Sequence, residues 1–215
     1  MSSDNLRLYQ SDVSPNSRRV RIFLAEKGIC VSLVPVDLGA KEQFSDAYTR
    51  INPRRVVPTL VIEDGTAIGE VPAILRYLEE TRPNQPLLGT TPKQKALIAM
   101  WERWAELEGF ATVMETVRNA VAGLKGRAIA GPHGYEQIPA LAERGKLRLA
   151  NFYADLETRL GTVPYLAGEE FSVADITAVV AVDFAARTLS LPIPDTHAAS
   201  KRWYDAASSR PSMKA

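Results

Sequence analysis

Residues 6–36 decide the fold, and they read LRLYQSDVSPNSRRVRIFLAEKGICVSLVPV. The alternation of apolar and polar side chains over residues 6–10 predicts a short strand. From residue 14 to residue 27 the apolar side chains lie close to one face of a helix, and Gly28 is a typical helix stop. The apolar, β-branched run 31–36 predicts a buried strand. A strand–helix–strand unit implies parallel pairing with a right-handed crossover.

The following segments extend this unit. Residues 41–50 are weakly helical. Residues 59–63 and 66–68 flank Asp64-Gly65, which is a strong hairpin signal. Residues 70–80 again have helical periodicity. The first part of the chain is therefore predicted to be strand–helix–strand, a helix, a hairpin and a final helix.

A segment rich in proline and glycine, residues 82–92, predicts a linker. Helical patterns follow over residues 93–122, 138–160, 171–186 and 198–208. The sequence thus predicts an α/β domain over residues 1–82, a linker over 83–92 and an all-α domain over 93–215.

Composition excludes several classes of function. The chain of 215 residues has 26 basic and 25 acidic side chains, so charge favours neither nucleic acid nor an anionic membrane as a partner. We find no apolar run long enough for a bilayer, and the N-terminus has no secretory pattern. Cys30 is the single cysteine, and His133 and His197 are far apart. We therefore expect a cytoplasmic protein without a metal.

Three stretches, in this order, resemble the cytosolic glutathione S-transferase family over nearly the whole chain. They are the segments 14–21, 52–78 and 171–176, with Trp203 and residues 210–212 near the end. The resemblance implies a thioredoxin-like α/β N-terminal domain and an all-α C-terminal domain. It also implies glutathione as co-substrate, a small hydrophobic electrophile as second substrate, a role in detoxification and a homodimer.

Ser14 has two interpretations. Serine followed by proline is a good start for a helix, and most such pairs are only caps. A helix N-terminus also lowers the pKa of a nearby thiol, and a hydroxyl that donates to the thiolate adds to this effect. In the resembling family a serine at this position stabilises the thiolate of glutathione. Asn16 is the competing candidate, and Tyr9 in the preceding strand is a third.

The rest of the predicted glutathione site also comes from the resemblance. Val57-Pro58 matches the cis-proline position, where the Val57 backbone would pair with the cysteinyl part of glutathione. Glu70 would bind the ammonium of the γ-glutamyl group. The next position usually carries a serine for the γ-glutamyl carboxylate, but here it is Val71, which offers only its N–H. Arg54 or Arg55, with Arg55 favoured, would reach the glycyl carboxylate.

Ser172 and Asp175 fit a capping box with aspartate at the third position, so we predict that they start a helix and carry no chemistry. Trp101, Trp104, Phe110 and Met114 follow a helical stripe, which is typical of a core or a subunit contact, and lining the pocket for the electrophile is the alternative for some of them.

Glutathione transfer to an electrophile is the leading hypothesis for function. A glutathione-dependent isomerase of the zeta type is an alternative, because residues 20–22 and 27–29 resemble that class. A binding module that uses the same fold without turnover is a third hypothesis, which Val71 favours. Glutathione binding separates the enzymes from the module.

Overall fold

The computed structural model describes residues 6–215, which form two compact units. The first unit runs to Gln85 and includes residues 130–133 and 214–215, and the second holds residues 86–129 and 134–213. The proposed domain limits 1–82, 83–92 and 93–215 stay a prediction. Part of the N-terminus expected to lack a secretory signal, residues 1–5, lies outside the described residues.

The first unit contains a four-stranded sheet of order β2-β1-β3-β4. The strands are β1 (Arg7–Gln10), β2 (Ser32–Pro35), β3 (Thr59–Val61) and β4 (Ala67–Ile68). β1 pairs with β2 in parallel and with β3 antiparallel, and β3 pairs with β4 antiparallel. The predicted strand–helix–strand unit and the predicted hairpin are both confirmed.

The helices of this unit are α1 (Pro15–Lys27), α2 (Asp46–Ile51) and α3 (Val71–Thr81), with a 3-10 turn at Glu42–Phe44. α1 packs against α3 through an apolar face that is fully buried. Gly28 ends α1 with φ 63°, a left-handed conformation that favours glycine. The buried Lys27 ammonium donates to Glu79 Oε2 at 2.7 Å, which ties the end of α1 to α3.

The sequence predicted a buried strand over residues 31–36, and the prediction that it is buried is wrong. The strand is present, but β2 is an edge strand, and its Leu33 is 50% exposed. An edge strand lacks a neighbouring strand on one side, and the described chain leaves half of the Leu33 side chain uncovered. A β-branched run does not distinguish a central strand from an edge strand.

The second unit is helical. Its α-helices are α4 (Pro92–Trp104), α5 (Ala111–Ala120), α6 (Pro139–Leu160), α7 (Val173–Leu189) and α8 (Ala198–Ser208), with 3-10 turns at Ala122–Leu124 and Pro211–Lys214. Every residue from Val173 to Val182 on α7 is buried, so this helix forms the centre of the unit. Among residues 6–215 no helix is long and apolar enough to cross a membrane.

The single helix predicted over residues 93–122 is interrupted. A π-helical segment, Ala105–Phe110, separates α4 from α5. Within it Gly109 lies against the buried ring of Phe152, and a Cβ atom there would be 2.7 Å from the ring. Trp104 stacks on the same ring at a centroid distance of 5.0 Å. The interruption accompanies a contact with a distant helix, which periodicity along one helix does not reveal.

At Gly145 helix α6 packs closely against Thr116 of α5. A Cβ atom at Gly145 would overlap Thr116 Oγ1, which itself donates to Thr112 O at 2.7 Å. We expect Gly145→Ala to lower the free energy of unfolding by about 1–3 kcal/mol through overpacking, although alanine favours helix. Urea denaturation measures the difference.

The matched control is Gly123→Ala, since a Cβ atom at Gly123 would meet no atom within 4 Å. Adding Thr116→Ala to Gly145→Ala removes the overlapping oxygen and should recover part of the loss. A Gly145→Ala variant as stable as the wild type would contradict the close packing of the two helices.

Candidate functional site

The sheet topology brings three chain segments of the first unit to one edge. Tyr9, near the end of β1, lies opposite Thr59, the first residue of β3. Ile68 at the end of β4 lies opposite Leu60, so the chain leaving β4 continues toward the same edge. The start of α1, the residues before β3 and the start of α3 therefore meet there. Both helix starts offer unpaired N–H groups and partial positive charge.

Ser14 is the N-cap of α1, which confirms its predicted structural role. The hydroxyl accepts a hydrogen bond from Ser17 N at 3.3 Å, and the Ser14 N–H donates to Ser11 O at 3.0 Å. The Ser11 N–H in turn donates to Ser17 Oγ at 3.2 Å. A hydroxyl that accepts one bond still has its proton to donate. Capping α1 and donating to a thiolate are therefore compatible at Ser14.

Asn16 is the second residue of α1, two positions after Ser14, and is half-buried. Its Oδ1 accepts a hydrogen bond from Arg19 Nη1 at 3.3 Å. This bond orients the amide and leaves its NH₂ group as the donor available to a ligand. Ser14 and Asn16 thus both remain candidates, while Tyr9 is half-buried with its ring against Tyr48 at a centroid distance of 6.1 Å.

The loop between β1 and α1 is held by Arg21, which sequence reasoning missed. Arg21 Nη1 donates to Gln10 Oε1 at 2.5 Å and to Ser11 O at 3.4 Å. Burial lowers the pKa of Arg21, and the nearby Asp12 carboxylate opposes that shift. A polar residue such as Gln10, buried at the end of a strand, was the available signal, because such a group needs a partner.

The Val57–Pro58 peptide bond is cis, as predicted from the motif. Val57 precedes β3, and within the described chain its N–H and C=O form no hydrogen bond. The N–H and C=O of Val57 are therefore available to pair with an extended peptide, in the way that one strand pairs with another.

A buried polar network holds the loop before Val57. Tyr48 Oη donates to Val56 O at 2.6 Å, and Asn52 Nδ2 donates to Val56 O at 3.1 Å and to Thr59 Oγ1 at 2.8 Å. Burial raises the pKa of Tyr48, so its hydroxyl stays protonated as a donor. Tyr48 and Thr59 were missed because no local pattern links a helix residue to a strand eleven positions later.

Arg54 and Arg55 occupy the same loop in different environments. Arg55 has φ 55°, a left-handed conformation that is strained for a residue with a Cβ atom. Its guanidinium lies 5.8 Å from the centre of the Phe44 ring, and its buried Nε has no partner among residues 6–215. Arg54 Nε lies 3.3 Å from Glu70 Oε1.

Glu70 is the N-cap of α3, with φ 62° and with its carbonyl accepting from Ala73 N and Ile74 N. Its side chain makes no capping bond and is 64% exposed, so the carboxylate oxygen that does not contact Arg54 is available to a cationic ligand. The Val71 side chain is buried. Only the Val71 N–H is therefore left for a ligand, and Pro72 offers none.

These positions suit a peptide that carries a thiol and charged ends. The described part of the chain holds no group of three or more potential metal ligands. The groups that the site offers to a ligand are the donors at the start of α1, the unpaired backbone N–H and C=O of Val57 and the exposed carboxylate of Glu70.

Comparison with known proteins is consistent with this geometry. The family model of the glutathione S-transferase N-terminal domain matches residues 8–86, and that of the C-terminal domain matches residues 139–206. Glutathione S-transferase 2 of Saccharomyces cerevisiae is 34% identical over 212 residues, covering 96% of this chain and 87% of the yeast protein. Maleylacetoacetate isomerase of Rattus norvegicus is 33% identical over 173 residues, covering 79% of this chain and 73% of that protein.

A crystal structure of a glutathione S-transferase domain-containing protein from Marinobacter aquaeolei matches with a TM-score of 0.88 and 33% identity. The match covers 96% of this chain and 99% of that one.

Proposed function

The chain belongs to the glutathione S-transferase family, with its thioredoxin-like sheet unit and its helical unit, and from this premise we propose that Ser14 activates glutathione for attack on a small hydrophobic electrophile. The observation that carries the proposal is the meeting of the α1 start, Val57 and the α3 start at one sheet edge. Glutathione would span these three segments, with its thiol at the start of α1.

The reaction needs the thiolate of glutathione. The positive end of α1 and a hydrogen bond donated by the Ser14 hydroxyl favour that form, and the thiol proton leaves to solvent. The sulfur then forms a bond to the electrophilic carbon, and the leaving group departs with its electron pair. Asn16 is the alternative donor to the thiolate.

The remaining contacts position the tripeptide. The Val57 backbone pairs with the cysteinyl residue, Glu70 binds the γ-glutamyl ammonium, and the Val71 N–H faces the γ-glutamyl carboxylate. Arg55 binds the glycyl carboxylate. Its buried Nε without a partner among residues 6–215 and its left-handed backbone support this role, since a buried donor needs a partner and strained backbone conformations cluster at ligand sites.

Arg55→Gly separates binding from stability. Glycine adopts the left-handed conformation at no steric cost, so we expect the free energy of unfolding to be unchanged or to rise by about 1 kcal/mol. The affinity for glutathione should fall about tenfold, because a charge-assisted hydrogen bond is lost. Urea denaturation and calorimetric titration measure the two effects.

Arg55→Lys is the control that keeps the charge and loses the planar fork. Arg55→Gly with unchanged affinity for glutathione would remove Arg55 from the binding site.

Glutathione-dependent isomerisation is the second candidate function, favoured by the similarity to the rat isomerase. An isomerase returns glutathione after each turnover, whereas a transferase consumes it. Incubation with 1-chloro-2,4-dinitrobenzene and, separately, with maleylacetoacetate distinguishes the two. Net loss of free thiol with the first compound supports transfer, and conversion of the second without loss of thiol supports isomerisation.

The chain is further proposed to form a homodimer. α4 has no buried residue, although it carries a run of apolar side chains, and Met100 is 52% exposed. Such a face is typical of a subunit contact. We expect sedimentation equilibrium to give the mass of two chains for the wild type. For Met100→Lys the mass should shift toward that of one chain.

Lys93→Met, at the start of the same helix, is the control. A wild type with the mass of one chain would contradict the proposal.

A cytoplasmic location and a role in detoxification complete the proposal. The single, unpaired and exposed Cys30 is compatible with a reducing compartment.

Calorimetric titration with glutathione is the first test of the proposed function. A dissociation constant in the micromolar to low millimolar range supports an enzyme that uses glutathione. No heat from a folded protein at several millimolar glutathione would reject the enzyme and favour a binding module of the same fold.

A further inference from the structure

The ion pair between Arg54 and Glu70 has no evident role in stability. Its side chains are 74% and 64% exposed, and exposed pairs typically contribute little to folding. Both backbones are nevertheless fixed. The Arg54 N–H donates to Asn52 Oδ1 at 2.9 Å, and the Glu70 carbonyl accepts the first hydrogen bonds of α3. The ion pair thus lies at the start of α3 between two backbone segments that are fixed by hydrogen bonds.

The pair leaves most of its hydrogen-bonding capacity unused. The contact joins Arg54 Nε to Glu70 Oε1. Within residues 6–215 the two terminal nitrogens of Arg54 and the second oxygen of Glu70 have no other partner. A guanidinium beside a carboxylate is complementary to an α-amino acid group, which carries a carboxylate and an ammonium on one carbon atom. The planar fork of arginine also matches a carboxylate well.

We propose that Arg54 binds the α-carboxylate of the γ-glutamyl group of glutathione while Glu70 binds its ammonium. This inference rests on the proposed function. It also accounts for Val71, which lacks the hydroxyl that the resembling family places at this position. Arg54 supplies the missing partner from the loop before β3, and the N-terminus of α3 adds partial positive charge at the same place.

Two roles of Arg54 predict opposite effects of its removal on the affinity for glutathione. If Arg54 only formed an ion pair with Glu70, it would compete with the ammonium of glutathione for that carboxylate. Its removal would then tighten the binding of glutathione. If Arg54 binds the carboxylate, Arg54→Ala should weaken binding about tenfold, near the lower limit for a hydrogen bond to a charged group because the site is exposed.

Two analogues of glutathione identify the group that Arg54 recognises. In 4-aminobutanoyl-Cys-Gly the γ-glutamyl carboxylate is absent and the ammonium is kept, whereas in glutaryl-Cys-Gly the carboxylate is kept and the ammonium is absent. We expect Arg54→Ala to weaken the binding of glutathione and of the glutaryl analogue, but not that of the aminobutanoyl analogue. Glu70→Gln should show the reverse pattern for the two analogues.

Calorimetric dissociation constants are the readout, with circular dichroism to confirm folding. Arg50→Ala, which removes an exposed arginine at the end of α2, is the control for the loss of a positive charge. The inference is overturned if Arg54→Ala binds glutathione as tightly as the wild type or more tightly. It is also overturned if Arg54→Ala weakens the binding of the aminobutanoyl analogue by the same factor as the binding of glutathione. Failure of the wild type to bind glutathione is a separate result that rejects the proposed function itself.

Discussion

Ser14→Ala should lower the turnover of glutathione with 1-chloro-2,4-dinitrobenzene about 10- to 100-fold at neutral pH. The lost hydrogen bond is one to a charged thiolate, typically 1.5–3 kcal/mol, so the pKa of the bound thiol should rise by about 1–2 units. The thiolate fraction at neutral pH falls accordingly. The expected signature is a pH–rate profile displaced to higher pH, which partly recovers turnover in alkaline buffer.

The profile distinguishes a chemical role of Ser14 from its role as a cap. Removing the cap alone costs about 0.5–2 kcal/mol of stability and leaves the thiol pKa unchanged. Thr91→Ala is the matched control, since Thr91 caps α4 by the same kind of bond, accepting from Gln94 N at 3.2 Å. It should lower stability without shifting the profile.

Asn16→Ala is the competing variant. If Ser14→Ala keeps near-normal turnover and Asn16→Ala shifts the profile, the thiolate donor is Asn16. If neither variant shifts the profile, the start of α1 does not activate the thiol, and that part of the proposal is wrong.

Asp175→Ala should lower the free energy of unfolding by about 4 kcal/mol or more. The fully buried carboxylate accepts hydrogen bonds from Leu166 N, from both N and Oγ of Ser172 and from Trp203 Nε1, at 2.9–3.1 Å. Alanine leaves these buried donors without an acceptor, and each such group costs about 1–3 kcal/mol unless water replaces the partner. Burial raises the pKa of Asp175, while the same donors oppose that shift.

A loss of this size is a large part of the 5–15 kcal/mol by which a typical domain is stable, so a low yield of soluble protein is expected as well. Asp205→Ala, an exposed aspartate on α8, is the control and should change the free energy of unfolding by less than about 0.5 kcal/mol. Urea denaturation of Asp175→Ala within 1 kcal/mol of the wild type would show that the four bonds are not needed.

The capping box at Ser172 and Asp175 was predicted from sequence, and the structure confirms it. The link from Asp175 to Trp203 was not predicted, because it joins α7 to α8 across 28 positions. Likewise, the cap at Ser14 follows from a local motif and the cis bond at Val57–Pro58 from the family resemblance, whereas the Arg21–Gln10 and Tyr48–Val56 contacts follow from neither.

The candidate glutathione residues came from the resemblance to a family. The sequence by itself determined the order of the strands and helices, the caps at Ser14 and Ser172 and the turn at Asp64-Gly65. Each of these depends on side chains within a few positions of one another, where periodicity, capping and turn preferences act directly. Only the tertiary structure decided that β2 is an exposed edge, that a π-helical segment interrupts the helix at Gly109, and that Arg54 reaches Glu70. These features depend on which distant residues become neighbours when the chain folds, and no local preference encodes that proximity.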